Sequence, residues 1–251
     1  MSTGKPNSSE TRFAEQVLPG EGDNDYTRYM KTDALLSLQR KPEEMIHRDE
    51  LLFQTVHQST ELWLKHACFE VETATSLIRE ADPASAVRLL ARAVLGVQLV
   101  IQQLEMLRHL APWDFQKVRS ALGHGSGFDS PGWLAIRTVS PRLGEAFDEL
   151  LKRRDVKLVE LYRGDQEEPL YRLSEALIDW DEAVALWRTR HYKLAVRVNG
   201  HGAVTTQGRS VDFLAKMVSS KFFPALWEVR TELTQLGPMG GLPTACPKGA
   251  Y

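Results

Sequence analysis

Cysteine is scarce in this 251-residue chain: its two cysteines, Cys68 and Cys246, make neither a disulfide framework nor a zinc-ligand spacing. A reducing compartment, the cytoplasm, is therefore expected. Basic blocks are missing too. With 31 Lys and Arg against 33 Asp and Glu, the net charge of -2 lacks the electrostatic footprint of nucleic-acid binding, so no nucleic-acid partner is expected. No apolar run approaches the roughly 20 residues that span a bilayer, so no membrane partner is expected either. The opening residues lack the apolar segment of a secretory signal. Nucleophile elbow, P-loop, dinucleotide fingerprint, His-Glu-x-x-His zinc motif and Cys-x-x-Cys-His haem attachment are all absent, which removes the reactions these motifs carry.

What is present is helical periodicity. From Met45 to Ala81, Leu52, Val56, Leu64, Val71 and Ile78 recur at helical spacing with no Pro or Gly between them, which predicts one long helix. Asp82-Pro83 punctuates, and Val87, Leu90, Val94, Val97, Ile101, Leu104 and Leu107 predict its antiparallel partner. Pro112 opens a short helix reaching Ala121, and Gly123, Gly125 and Gly127 form a loop. Helices are expected over Leu143 to Tyr162 and Pro169 to Val198. A loop from His201 to Gly208 follows, then a last helix from Ser210 to Leu236 that Pro224 kinks or divides. Strand alternation and repeats are lacking, so the expected fold is all-α, a bundle of long helices with ligand space between facing helices. Residues 1–20 read as a disordered tail, 21–236 as one helical domain and 237–251 as an irregular tail.

A few polar residues can carry chemistry. His57 follows Phe53 by one turn, so both project from one helix face and can wall an aromatic pocket; a hydrogen-bonded core histidine has the same appearance. His191, in Trp187-Arg188-Thr189-Arg190-His191, is open to the same two readings. Arg119, four residues after Phe115 and just before the glycine loop, either favours a helix C-terminus or grips a substrate carboxylate with its planar guanidinium. Tyr26 and Tyr29 alone are packing anchors.

Together these segments resemble the tryptophan 2,3-dioxygenase family over Tyr26 to Leu236, most strongly in the stretch from His47 to Gln58, His47-Arg48-Asp49-Glu50-Leu51-Leu52-Phe53-Gln54-Thr55-Val56-His57-Gln58, continuing through Glu61-Leu62-Trp63-Leu64-Lys65. The resemblance implies haem b as cofactor, ferrous in the active form, O2 as co-substrate and an aromatic amino acid as substrate. Position by position it implies Phe53 against the indole, and His57 as the catalytic histidine that hydrogen-bonds the indole N–H. Phe115 and Leu122 would pack on the substrate, Arg119 hold its carboxylate, Ser126 lie near haem and oxygen, and Thr205 contact the amino-acid end. His191 would be the proximal ligand to the haem iron. Tyr26 and Tyr29 would enter a neighbouring subunit's pocket in a homo-oligomer, a tetramer by resemblance.

The sequence departs from the family where Val204-Thr205-Thr206-Gln207-Gly208-Arg209 replaces a Gly-Thr-Gly-Gly-Ser-type loop, where His124 stands in the glycine loop, and in being shorter than typical members. The expected activity is 2,3-dioxygenation of L-tryptophan or a close derivative to an N-formylkynurenine-type product. Monooxygenation to a hydroxyindole or 2-oxindole, hydroxylation of tyrosine in natural-product biosynthesis, and a haem sensor without turnover are the alternatives. A helical interaction protein without haem is the remaining one.

Overall fold

A computed structural model describes residues 16–238 and 240. Ten α-helices and two short 3-10 turns make up the regular structure of the described residues, with one isolated bridge between Val204 and Ser210 and no strand. The all-α expectation holds. Two short helices, α1 (Asp25–Met30) and α2 (Thr32–Leu36), precede α3 (Glu50–Arg79). Helix α4 (Pro83–Leu107) returns alongside α3, and α5 (Pro112–Ser120) is a short outlier. Then come α6 (Pro131–Arg154), α7 (Leu158–Arg163), α8 (Pro169–Asn199), α9 (Phe213–Val218) and α10 (Pro224–Leu236).

Proline opens α4, α5, α6, α8 and α10 at the first turn, where its missing N–H costs nothing. Helix α3 starts at Glu50, five residues later than the apolar pattern suggests. The Glu50 carboxylate accepts the backbone N–H groups of Ile46 (2.5 Å) and His47 (3.1 Å) and pairs with Arg40 at 2.9 Å, which holds the preceding residues in a turn. Its far end follows expectation: Ile78 is fully buried and the helix stops at Arg79.

The expected helix from Leu143 to Tyr162 is instead two. Helix α6 begins twelve residues earlier, capped by the Ser130 side chain accepting the Trp133 N–H at 3.2 Å, and runs through Pro141. A proline inside a helix costs about 3 kcal/mol. Ile136, Val139, Leu143, Ala146, Phe147 and Leu150 form a continuous buried stripe on both sides of Pro141, and that burial outweighs the cost. The helix ends at Asp155 in the left-handed region (φ 51°), which separates it from α7. The last expected helix is divided as Pro224 requires, into α9 and α10.

Helix α3 packs between α4 and α6, and α4 carries α8 on its other side. Glu61 of α3 meets the start of α6 through Ser130 and the Gly132 N–H (2.8 Å), while Arg153 reaches the carbonyls of Ile78 and Arg79, so α3 and α6 run parallel. Trp180 of α8 donates to Ser140 of α6 at 2.9 Å, and Glu105 of α4 pairs with Arg190 of α8. The four long helices therefore alternate up, down, up, down. Gly132 sits where α6 crosses α3: a Cβ there would lie 2.7 Å from the Leu64 side chain.

The composition of α4 corrects one reading, because this helix is long and apolar enough to cross a membrane by length and composition. Its apolar residues are used differently: Leu90, Ala93, Val97 and Val100 are fully buried in the bundle core between α3 and α8. Of the two expected tails, residues 1–15, 239 and 241–251, Cys246 among them, lie outside the described residues.

Candidate active site

At one end of the bundle, where α3 and α6 begin and α4 and α8 finish, the helices part around a cavity of about 260 Å³. The same end receives both irregular loops, residues 121–130 and 200–212, because α5 and α9 lie over it. Eight of the ten expected site residues line this cavity.

Phe53 and His57 project from the first two turns of α3. Their rings stack with centroids 4.0 Å apart, and Phe53 meets Phe115 of α5 at 6.0 Å. His57 Nδ1 lies 2.7 Å from the Phe53 carbonyl oxygen. A carbonyl only accepts, so Nδ1 carries the ring proton and Nε2 is left as an acceptor. Burial lowers the His57 pKa below its ordinary value; the Phe53 hydrogen bond and Glu61 offset part of that, so the ring is neutral at neutral pH. This wall thus offers two aromatic faces and one hydrogen-bond acceptor. Leu122, just after α5, adds an apolar surface.

His191 stands in the penultimate turns of α8. Trp187, one turn earlier, stacks against it with centroids 4.8 Å apart and planes within 6°, and Trp133 of α6 stacks on Trp187 at 3.6 Å. This three-ring ladder fixes the plane of the imidazole. Burial first, and the neighbouring His57 second, press the His191 pKa down to about 4, so a neutral imidazole faces the cavity.

The loops close the remaining side. Arg119 donates Nη2 to the Val204 carbonyl at 2.5 Å, which ties α5 to the loop 200–212 and leaves its other N–H groups free. The Thr205 hydroxyl accepts from the Arg209 N–H at 3.2 Å, the Thr205 N–H donates to the Arg209 carbonyl at 2.7 Å, and Gly208 takes φ +75°, so a tight turn presents Thr205 to the cavity. The residues that differ from the family pattern latch this turn to the glycine loop. Thr206 donates to the Gly125 carbonyl at 2.6 Å, Gln207 donates to Asp129 at 2.7 Å, and the Arg209 guanidinium lies 5.0 Å from the Phe128 ring centroid. Ser126 caps the 3-10 turn Gly127–Asp129, its hydroxyl oxygen accepting from the Phe128 N–H at 3.4 Å, and lines the cavity. His124 is exposed and engages the latch only through its backbone carbonyl.

Tyr26 and Tyr29 are not brought to this cavity. They stand on α1, 66% and 74% exposed, in a segment that also exposes Met30, Leu36 and Leu38. Other contributors escaped the sequence reading. Glu61, half-buried against the start of α6, positions the glycine loop through Ser130, and Trp133 and Trp187 orient His191. Only Trp187 left a local signal, its place one turn before His191.

A family profile described as tryptophan 2,3-dioxygenase matches residues 14–155. Over nearly the whole chain the sequence is also similar to named tryptophan 2,3-dioxygenases. That of Bacillus anthracis is 29% identical, with 89% of this chain and 95% of the relative aligned. That of Shewanella woodyi is 28% identical over 91% and 98%, and that of Myxococcus xanthus 27% identical over 86% and 92%. With α3, its two aromatic-wall residues and the helical bundle all in agreement, the chain belongs to the tryptophan 2,3-dioxygenase family of haem-dependent aromatic oxygenases.

Proposed function

We propose that this protein is a haem-dependent 2,3-dioxygenase of L-tryptophan or a close derivative, opening the indole C2–C3 bond to an N-formylkynurenine-type product. The observation that carries the reading is the pairing, across one cavity, of a neutral imidazole held by a ring ladder with a wall of two aromatic rings and one acceptor nitrogen.

The donor set fits haem. Among the described residues no cluster of three or more His, Cys, Asp or Glu side chains is arranged for a bare metal ion, whereas the His191 imidazole faces a mostly apolar cavity that includes Leu104, Leu194, Val198 and Met217. His191 would be the proximal ligand, with Trp187 and Trp133 setting its ring plane. His57 keeps its Nδ1 proton on the Phe53 carbonyl. Bound there, haem b in its ferrous form supplies the redox chemistry that delivers both atoms of O2 to the substrate.

The chain's own residues bind and orient. Phe53, Phe115 and Leu122 would sandwich the indole, and His57 Nε2 would accept its N–H, which fixes which edge of the ring faces His191. Arg119 and Thr205 would hold the carboxylate and ammonium end, since Arg119 spends one N–H on Val204 and keeps the others for a carboxylate. The Ser126 hydroxyl retains a proton to donate into the cavity. The latched loops would exclude water once substrate is in place.

Tyr26 and Tyr29 would complete a neighbouring subunit's pocket in a homo-oligomer, a tetramer in the family pattern, which accounts for two large aromatics left exposed beside exposed Leu36 and Leu38. The free, buried Cys68 suits a cytoplasmic setting. Labelled oxygen decides the reaction. Two labelled atoms in the product of L-tryptophan turnover are expected; a single one would reassign the enzyme as a monooxygenase making a hydroxyindole or 2-oxindole.

A further inference from the structure

The wall between α6 and α8 holds more positive charge than the functional reading uses. Arg137, on α6 one turn beyond Trp133, lines the cavity and, among the described residues, has no ion pair and no side-chain hydrogen bond. Arg188, on α8 three residues before His191, lines the same wall. It is 8% exposed, donates to the Ser220 carbonyl at 2.7 Å and lies over the Phe222 ring at 5.1 Å. Burial lowers its pKa below the ordinary guanidinium range, Asp181 opposes that shift and Arg137 adds to it. Two guanidiniums close enough to repel thus line one wall, the buried Arg188 committed to the protein and the exposed Arg137 free. Next to Arg188 in sequence and stacked on His191, Trp187 keeps its Nε1–H buried without an acceptor. The buried Trp187 donor is costly to leave unmade, and the exposed Arg137 is free to take an anionic acceptor that enters the cavity.

We infer that Arg137 anchors a carboxylate of the porphyrin, with Arg188 as a fixed second positive charge behind it. This rests on the haem reading of the cavity. Three facts favour the porphyrin over the amino-acid substrate as the source of that carboxylate. Arg137 shares its wall with Trp133, Trp187 and His191, the imidazole side, whereas the substrate carboxylate has Arg119 on the loop side. A haem carries two carboxylates, and one imidazole alone leaves it free to rotate about the iron–nitrogen axis. Arg137, unpaired on the His191 side, supplies the missing constraint, and a carboxylate there offsets its repulsion with Arg188.

The test is the rate of haem loss from the holoenzyme into an excess of a high-affinity haem-scavenging apoprotein. It compares the wild type, Arg137→Gln and Arg137→Lys, loaded either with haem or with its dimethyl ester, whose carboxylates are masked. Matching circular dichroism of the variants confirms the fold. Arg137→Gln is expected to lose haem roughly tenfold faster and Arg137→Lys by a smaller factor, while all three release the dimethyl ester at one common rate. Haem loss unchanged in Arg137→Gln overturns the assignment. So does an acceleration of equal size with the ester. Unchanged haem loss together with weakened L-tryptophan binding would move Arg137 to the substrate. A wild-type chain that takes up neither porphyrin rejects the haem reading itself and this inference with it.

Discussion

The tautomer of His57 gives a sharp prediction. The 2.7 Å contact between Nδ1 and the Phe53 carbonyl leaves Nε2 as the only ring atom able to bind substrate, and only as an acceptor. An indole N–H can donate to it; an N-methylated indole cannot. His57→Phe keeps an aromatic ring against Phe53, now at 4.0 Å, and deletes the acceptor. A net neutral hydrogen bond is worth about 0.5 to 1.5 kcal/mol, so L-tryptophan binding should weaken about twofold to tenfold. With 1-methyl-L-tryptophan the same substitution should cost nothing, because the interaction is already missing, and the difference between the two losses measures the coupling. The assay is equilibrium titration of the haem absorption band with each amino acid under anaerobic conditions. Equal losses for both ligands would refute the hydrogen bond and return His57 to a packing role.

Arg119→Ala should weaken binding of L-tryptophan by about tenfold or more while leaving free indole nearly unaffected, since only the amino acid brings a carboxylate for the guanidinium N–H groups that Val204 does not use; a calorimetric titration that finds equal losses rejects the anchor. Gln207→Ala removes the hydrogen bonds to Asp129 at 2.7 Å and to the His124 carbonyl at 3.5 Å, two of the four contacts latching the two loops. Faster L-tryptophan dissociation in stopped flow, by a few-fold, is expected, with earlier proteolytic cleavage within residues 200–212; an unchanged off-rate would show that the latch does not gate the site. Burial alone would raise the Glu50 pKa, but the Arg40 pair and the His47 and Ile46 N–H groups outweigh it, and the net shift is downward from 4.5. A carboxyl with a folded-state pKa below its unfolded value stabilises the protein above about 4.5 and loses that contribution as pH falls through the folded value. Glu50→Gln should therefore lower the melting temperature at pH 7 and flatten its fall below pH 4.5; parallel curves for the two proteins would contradict this.

The bundle was largely legible because proline and periodicity agree along most of it. Pro83, Pro112 and Pro169 mark helix starts that tertiary packing leaves in place, and Pro224 divides the last segment as its ring demands. The helix expected from Leu143 starts earlier than that, at Pro131, and contains Pro141. Local chemistry says stop, but the stripe from Ile136 to Leu150 is buried deeply enough to carry the helix through, and only the packed structure reveals that balance. The early start assigned to α3 failed because apolar spacing cannot see the Glu50 carboxylate gathering Ile46 and His47.

The site divides along the same line. Residues carried by the α3 stretch and its neighbours converge on one cavity, but the features that set their chemistry come from remote segments. The ring ladder joins residues 133, 187 and 191, Glu61 meets Ser130, and Gln207 meets Asp129 from 78 positions away. Apart from Trp187, one turn before His191, none of these pairs has a sequence spacing that announces it. Tyr26 and Tyr29 mark the other boundary: the chain leaves them exposed, away from the cavity, and their proposed place in a second copy's pocket comes from the resemblance alone.

The most direct test of the central claim is the visible absorption spectrum of His191→Ala beside the wild type. The wild type should load haem one to one with a histidine-ligated ferrous spectrum that changes when L-tryptophan is added. The variant should lose stable haem and regain a similar spectrum when imidazole is supplied. A variant that keeps a full complement of haem with the wild-type spectrum, without imidazole, would contradict the assignment of His191 as the axial ligand.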